Sequence, residues 1–358
     1  MHLRRLWLTD FRNYTEADVS FPVGLTAVIG RNGQGKSNLI EAIGYLATLD
    51  SFRGAPTEAL VRSSAARAFV RAEVEREGRE LLIEAEIAVG GRGRVQVNRQ
   101  RLPRSRDLLG ALRVTVFAPD DLTLIKGGPA ERRRYLDDLL VALSPKNDAL
   151  RSDVDRVLKQ RNTLLKQAGG RLSDELAFTL DVWDEKLAAC GTALALARAQ
   201  LVDELAPLVA AAYDDLAERP ATVALGYDAA WMADGLAVAL VRTRNDDVRR
   251  GVSLVGPHRD ELQLSIGSLG ARTHASQGEQ RTLALALRLA GHELVRSKLD
   301  TPAVLLLDDV FSELDPQRSA ALLRHLPEGQ IVLTTAGPLP EGVHPAACFT
   351  IEGATVSS

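Results

Sequence analysis

An α/β fold, with a mixed sheet around one central helix and a helical lobe inserted into the chain, is what this 358-residue sequence predicts. Three observations predict it. Gly30-Arg31-Asn32-Gly33-Gln34-Gly35-Lys36-Ser37 fits the pattern G-x-x-x-x-G-K-[ST], with a β-branched apolar run before it and Leu39, Ile40 and Ile43 at helical spacing after it. Residues 303–307 are uniformly apolar and end in Asp308-Asp309, the character of a strand buried on both faces of a largely parallel sheet. Between the two, from about residue 120 to residue 218, strand signals give way to apolar residues at helical spacing.

In chain order, residues 3–8 alternate as a first strand, and a second follows near 17–21. Pro22-Val23-Gly24 then turns the chain into the strand at 25–29. Residues 68–76 and 79–89 alternate as an antiparallel pair with its turn at Glu77-Gly78, and a further hairpin is expected over 94–97, turning at Asn98-Arg99. Residues 112–117 form a β-rich run ended by Ala118-Pro119. Tyr135, Leu136, Leu139 and Leu140, then Val154, Val157, Leu158 and Leu165, keep helical spacing until Gly169-Gly170 breaks it. Ser173 begins a long amphipathic helix whose alanine-rich half, 188–212, contains Pro207, a potential kink. Strands resume near 222–225 and 262–266. A helix spans about 281–296, a last core strand spans 331–335, and residues 354–358 read as a frayed tail. The expected domains are therefore 1–119 and 221–358 as the two parts of one head, with 120–220 as the inserted lobe.

Composition narrows the class little: 46% of residues are hydrophobic, 25% are charged and the net charge is −3, so only local clustering bears on nucleic acid. Cys190 and Cys348 have no metal-ligand spacing and fit a reducing compartment. No apolar run approaches membrane-spanning length, and the start of the chain turns polar too soon for a signal peptide, so a cytoplasmic protein with no membrane partner is expected.

The chemistry follows from residue types. Glycines in 30–35 let successive N–H groups face a triphosphate at a helix N-terminus, where the helix dipole favours negative charge. Lys36 would reach the β- and γ-phosphates, and Ser37 would coordinate Mg²⁺. Asp308, at the end of the acid strand, would hold the Mg²⁺ through water, and Asp309 would polarise the attacking water as general base. The expected nucleotide site comprises Gly30, Arg31, Asn32, Gly33, Gln34, Gly35, Lys36, Ser37 and Asn38. Ser276-Gln277-Gly278-Glu279-Gln280 begins a second helix suited to an anion, with Ser276 as N-cap. Ser312-Glu313-Leu314-Asp315 follows the acid strand, and Thr334-Thr335 ends the strand after it.

This ordered set resembles the ABC-type P-loop ATPase heads: phosphate loop, signature motif, acid strand, D-loop and switch strand. The resemblance implies such a head with an antiparallel β subdomain and the helical lobe, without a long coiled coil. It implies ATP and Mg²⁺ as cofactors and a homodimer closed by ATP, in which Ser276, Gln277, Gly278 and Glu279 meet the nucleotide of the other copy. Arg12 and Asn13 would touch the adenine or α-phosphate. Further stretches narrow the branch: Leu8-Thr9-Asp10-Phe11-Arg12-Asn13-Tyr14, Phe117-Ala118-Pro119-Asp120-Asp121-Leu122, residues 126–134, and Gly256-Pro257-His258-Arg259-Asp260-Glu261-Leu262. Over essentially its whole length the chain resembles the RecF family of bacterial DNA replication and recombinational repair proteins. That resemblance implies binding to duplex DNA and single-strand gap junctions, slow DNA-stimulated ATP hydrolysis, and partnership with RecR and RecO. RecA loading and SOS induction would lie downstream. Two departures stand out: Asp309 where transporter heads carry Glu, and Thr334 or Thr335 where many of these enzymes carry a switch His. No glutamine marks the lobe junction, where Asp120 or Asp121 is the alternative to approach the metal.

Two arginine clusters are the candidate DNA contacts: Arg92, Arg94, Arg99 and Arg101 on the third hairpin, and Arg132-Arg133-Arg134 at the start of the lobe. The second cluster has an alternative role, bracing the nucleotide site or the lobe. Two other functional classes compete. One is the soluble ATPase subunit of a membrane transporter, which predicts a signature nearer Leu-Ser-Gly-Gly-Gln. The other is a nucleotide-switched scaffold with negligible hydrolysis.

Overall fold

The computed structural model describes every residue except Glu218, Asp300 and Ser358, so the expected helical limit at Glu218 and the last residue of the expected tail lie outside it. The chain opens with strands β1 (His2–Phe11), β2 (Tyr14–Ser20) and β3 (Leu25–Ile29), then helix α1 (Lys36–Thr48). Strands β4 (Arg67–Arg76), β5 (Arg79–Ala88), β6 (Arg94–Val97), β7 (Gln100–Arg101) and β8 (Val114–Phe117) follow. A helical stretch comprises α2 (Thr123–Lys126), α3 (Pro129–Leu143), α4 (Asp148–Gln167) and α5 (Asp174–Leu216). Next come β9 (Val223–Asp228), α6 (Leu236–Arg250), β10 (Glu261–Ile266), β11 (Leu269–Gly270), α7 (Ala271–His274) and α8 (Gln277–Leu299). The chain ends with β12 (Val304–Asp308), α9 (Pro316–Arg324), β13 (Ile331–Thr335), β14 (Ala347–Glu352) and β15 (Thr355–Ser357). Turn chemistry is as expected at both hairpins: Glu77 and Gly78, then Asn98 and Arg99, all take positive φ.

These elements form two compact units, Met1–Leu122 with Ala211–Pro220 and Arg281–Ser358, and Thr123–Ala210 with Ala221–Gln280. The first unit holds two six-stranded sheets. One is antiparallel, in the order β2-β1-β4-β5-β6-β7. The other runs β15-β14-β3-β13-β12-β8, parallel except for β15 at its edge. Helix α1 touches strands of both sheets and is buried on every side, which is why Leu39, Ile40, Ala42, Ile43 and Leu46 leave no polar stripe. The acid strand β12 divides its residues by parity. Val304 and Leu306 join the core around α1, whereas Leu305 and Leu307 join a second core with Leu285 and Leu289 of α8 and Leu322 of α9.

The second unit packs α3 to α6 with the small antiparallel sheet β11-β10-β9. Apolar packing of Leu164, Leu165, Leu180 and Val248 lies beside a buried charge cluster. Arg161, with no exposed surface, donates to Asp184 at 2.6 Å, Asp247 at 2.8 Å and Ser253 at 2.8 Å. Arg198, in the middle of α5, forks onto Asp137 at 2.7 and 2.8 Å and also donates to the Pro257 carbonyl.

The structure departs from the expected organisation in three places. Residues 211–220, expected in the lobe, group with the head, and residues 221–280, expected with the head, group with the helical unit: β10 packs on α3, and Arg132 and Arg133 hold Glu261, the first residue of β10, and Asp260 before it, from 127–129 positions away. No local pattern encodes a pairing over that separation. The expected tail is instead mostly strand, because β15 pairs back on β14 through Thr350–Ser357, Ile351–Val356 and Glu352–Thr355.

Candidate functional site: a phosphate loop facing an acid strand

Strands β3 and β12 are both neighbours of β13 and parallel to it, so the loop after β3 and the acids after β12 emerge at the same end of the sheet. Ser37 Oγ donates to Asp308 Oδ1 at 2.9 Å across 271 positions, and Thr334 Oγ1 donates to the same oxygen at 2.8 Å. The Asp309 N–H donates to Thr334 Oγ1 at 3.0 Å. Thr334 is therefore the residue that joins the acid pair, while Thr335 turns to Gly337.

The loop is held from several sides. Lys36 Nζ donates to the carbonyls of Gly30 at 2.7 Å and Arg31 at 3.1 Å, which keeps the ammonium within the loop. Tyr14 OH donates to the Gly35 carbonyl at 3.0 Å. Gly35 has φ 122°, and a Cβ there would meet Asn13 at 2.9 Å, so glycine is required twice over. Gly30 is fixed by close approach instead, since a Cβ would lie 2.5 Å from the Ile351 carbonyl. Arg31, Asn32 and Gly33 are exposed at the mouth, and Gly33 keeps open space around it.

Asn13 and Asn38 form a relay beside the loop: Asn38 Nδ2 donates to Asn13 Oδ1 at 2.8 Å, and Asn13 Nδ2 to the Gln34 carbonyl at 3.1 Å. Arg12 forks onto Glu41 at 2.7 Å through both Nε and Nη2, and gives Nη1 to the Ala59 carbonyl. Glu41 is a fully buried carboxylate on α1 that the sequence reading missed. Its signal was an acid inside the apolar stretch from Leu39 to Leu46.

Asp308 is 4% exposed, and burial raises its pKa above the usual carboxylate range against the opposing hydrogen bonds from Thr334 and Ser37. Asp309 takes a left-handed backbone, φ 49° and ψ 29°, and its Oδ1 is buried without a hydrogen-bond partner among the described residues. The donor set suits a hard cation: with its hydrogen given to Asp308, the Ser37 oxygen keeps its lone pairs for a metal. No group of three or more His, Cys, Asp or Glu able to hold a metal exists among the described residues.

At the second predicted site, Ser276 and Glu279 form a closed capping box. The Ser276 N–H and Oγ both donate to Glu279 Oε2 at 2.7 Å, and the Glu279 N–H donates back to Oγ at 3.3 Å. Ser276 and Gln277 are exposed, and Gly278 and Glu279 are half-buried. The next residue, Gln280, is buried and donates to the carbonyls of Ala271 and Arg272, which ties the helix start to α7.

The family model described as the RecF/RecN/SMC N terminal domain matches residues 2–337. The DNA replication and repair protein RecF of Streptomyces avermitilis is 45% identical, with 99% of each chain covered. The protein of the same name from Frankia alni is 47% identical over 94% of this chain and 93% of that one. The chain belongs to the RecF family. A solved structure of the recombination mediator protein RecF with ATP, in the RecFOR pathway, superimposes with a TM-score of 0.91 at 29% identity, covering 99% of this chain and 97% of that one. The fold is thus that of the ABC and SMC-type heads.

Against this RecF-family frame the two arginine clusters part company. Arg92, Arg94, Arg99 and Arg101 are all exposed on β6, β7 and the loops flanking them, at the edge of the antiparallel sheet. Arg132 is a correction: at 4% exposure it forks onto Glu261 at 2.7 and 2.9 Å and donates to the carbonyls of Leu124 and Gly127, which leaves it no surface to offer DNA. Arg133 donates to the Asp260 carbonyl at 2.8 Å, and burial, then Arg198, lower its pKa. Arg134 is half-buried beside Asp138. Arg132 and Arg133 thus hold together elements of the helical unit. Asp121, an expected metal neighbour, is held by Arg288 at 2.6 and 3.0 Å. No helix among the described residues is long and apolar enough to cross a membrane.

Proposed function

We propose that this chain is an ATP-dependent DNA-binding protein of replication and recombinational repair, with weak DNA-stimulated ATPase activity. On this reading it dimerises on ATP, acts in the cytoplasm at single-strand gaps and duplex junctions with RecR and RecO, and promotes RecA loading and SOS induction. The observation that carries the reading is the convergence of the Ser37 and Thr334 hydroxyls on one Asp308 oxygen. Ser37 directly follows Lys36 in the loop helix, and Asp308 directly precedes Asp309, whose Oδ1 has no hydrogen-bond partner among the described residues. ATP would lie on the loop 30–38, with Mg²⁺ held by Ser37 and, through water, by Asp308. When bound, the metal neutralises charge on the phosphates. Lys36 would hold the β- and γ-phosphates, and the Asp309 carboxylate, whose Oδ1 has no hydrogen-bond partner among the described residues, would take the proton of the attacking water. An aspartate reaches one methylene less far than a glutamate, so turnover is slow and suits a timed clamp.

The exposed start of α8 supports the dimer. Ser276 and Gln277 face solvent, and among the described residues the Ser276 hydroxyl is bonded to Glu279. The phosphate of a second copy takes that place. Sedimentation of an Asp309→Asn chain with MgATP should show a dimer, whereas the same chain carrying Ser276→Arg should bind ATP with unchanged affinity and stay monomeric. A monomer in both, or loss of ATP binding in the second, rules the arrangement out.

DNA would meet the arginine edge. Phosphate contacts confer affinity without sequence preference, which suits a repair factor. With Arg94, Arg99 and Arg101 all changed to Glu, the slope of log affinity against log salt for gapped duplex DNA should become shallower by about 3, at about 0.9 per lost phosphate contact. MgATP binding should be unaffected. An unaltered slope would remove this edge from the interface.

A further inference from the structure

The turn of the C-terminal hairpin reaches the phosphate loop. Gly353 and Ala354 take φ of 53° and 63°, the backbone of a two-residue type I′ turn. Both of their N–H groups go to one residue: Gly353 donates to Gln34 Oε1 at 2.6 Å, and Ala354 to the Gln34 carbonyl at 3.1 Å. Asn13 Nδ2 donates to that same carbonyl at 3.1 Å. A left-handed alanine costs roughly 1–2 kcal/mol, so the turn keeps this shape against its own local preference. The same hairpin also touches the other end of the loop, where the Ile351 carbonyl leaves no room for a Cβ on Gly30.

The consequence lies in the peptide between Gln34 and Gly35. Gly35, at φ 122°, follows it directly and has no Cβ to restrict the rotation of this peptide. In a trans peptide the C=O and the following N–H point in opposite directions. Pinning the Gln34 carbonyl with two donors on one side therefore fixes the Gly35 N–H on the other.

We propose that the β14–β15 turn is a positioning device for the phosphate loop and that Gln34 is the positioning residue through which it acts; this rests on reading residues 30–38 as the ATP site. The Gln34 side chain then braces the loop without touching nucleotide, and ATP affinity is coupled to the order of the hairpin. The coupling is reciprocal, so bound nucleotide must in turn tighten the turn.

The test measures MgATP affinity by titration calorimetry in four chains, and amide exchange at Gly353 and Ala354 in the two of full length. The four are the wild type, Gln34→Met, a chain ending at Glu352, and the two changes together. Gln34→Met keeps the side-chain length and loses the acceptor. It is expected to bind MgATP about tenfold more weakly in the full chain, the effect of one lost hydrogen bond, and no more weakly still in the shortened one. MgATP should slow exchange at residues 353 and 354 in the wild type and much less in Gln34→Met. Equal weakening in both backgrounds, or exchange at the turn indifferent to MgATP, overturns the proposal; should the shortened chain fail to fold, the exchange result in the full chains decides alone. A wild type that binds no MgATP, or a Lys36→Ala chain that binds it as well as the wild type, refutes the nucleotide site itself, and the positioning role with it.

Discussion

An Asp308→Asn chain is expected to hydrolyse no ATP and yet to melt at a higher temperature than the wild type when nucleotide is absent. Asp308 is 4% exposed and burial raises its pKa above 3.8, so ionising it at neutral pH works against the fold. The sign follows from linkage: the folded state holds its proton more tightly than the unfolded one. The stability this group contributes is therefore full below pH 3.8 and is lost as pH rises through the raised folded value. Asparagine keeps the shape and an oxygen for the Ser37 and Thr334 hydroxyls while removing the charge. A gain of about 1 kcal/mol corresponds to roughly 2–4 °C for a unit of this size. The advantage should shrink as pH falls and the wild-type carboxyl takes up its proton. Calorimetric melting at pH 7 and pH 4, with phosphate release measured beside it, checks both halves. A lower melting temperature at pH 7 would mean that Asp308 stabilises the fold rather than straining it, and residual turnover would deny it the metal.

The second large effect concerns the lobe. Arg161→Met is expected to destabilise the second unit by about 3–5 kcal/mol, the usual cost of removing one partner from a buried ion pair. Asp247, with no exposed side-chain surface, and Asp184 would each lose a guanidinium, and Ser253 would lose its donor. The Asp247 pKa is already raised by burial, with Arg161 opposing the rise. Without the arginine it rises further, so the loss should be largest at neutral pH and smaller in acid. Urea unfolding of Arg161→Met beside Arg161→Met/Asp247→Asn separates the causes. The double variant should recover a good part of the loss because it leaves less unpaired charge. A loss under about 1 kcal/mol in the single variant would show that the cluster is not what holds the unit together.

How much of this was legible in the sequence depends on the distance over which each feature is encoded. The strand, loop and helix around Lys36 are contiguous, the Ser276–Glu279 box spans three positions, and the hairpin turns at Glu77-Gly78 and Asn98-Arg99 are local backbone choices. The two-faced burial of β12 could be read because every residue of 303–307 is apolar. The roles of the arginines could not. Arg94 and Arg132 look alike in a sequence, yet one is exposed and the other is buried on Glu261, 129 positions away. Glu41 was passed over for the same reason, since its partner Arg12 belongs to another element.

The order of motifs by itself determined the α/β class, the phosphate loop, the acid strand and the RecF family, because each depends on residue types within a few positions of one another. Tertiary structure alone decided that residues 221–280 pack with the helical unit, that Thr334 rather than Thr335 meets Asp308, and that the last residues fold back to grip Gln34. Those outcomes rest on hydrogen bonds and ion pairs across tens to hundreds of residues. Their partners are brought together by burial of the apolar surfaces around them, and no window of sequence contains both.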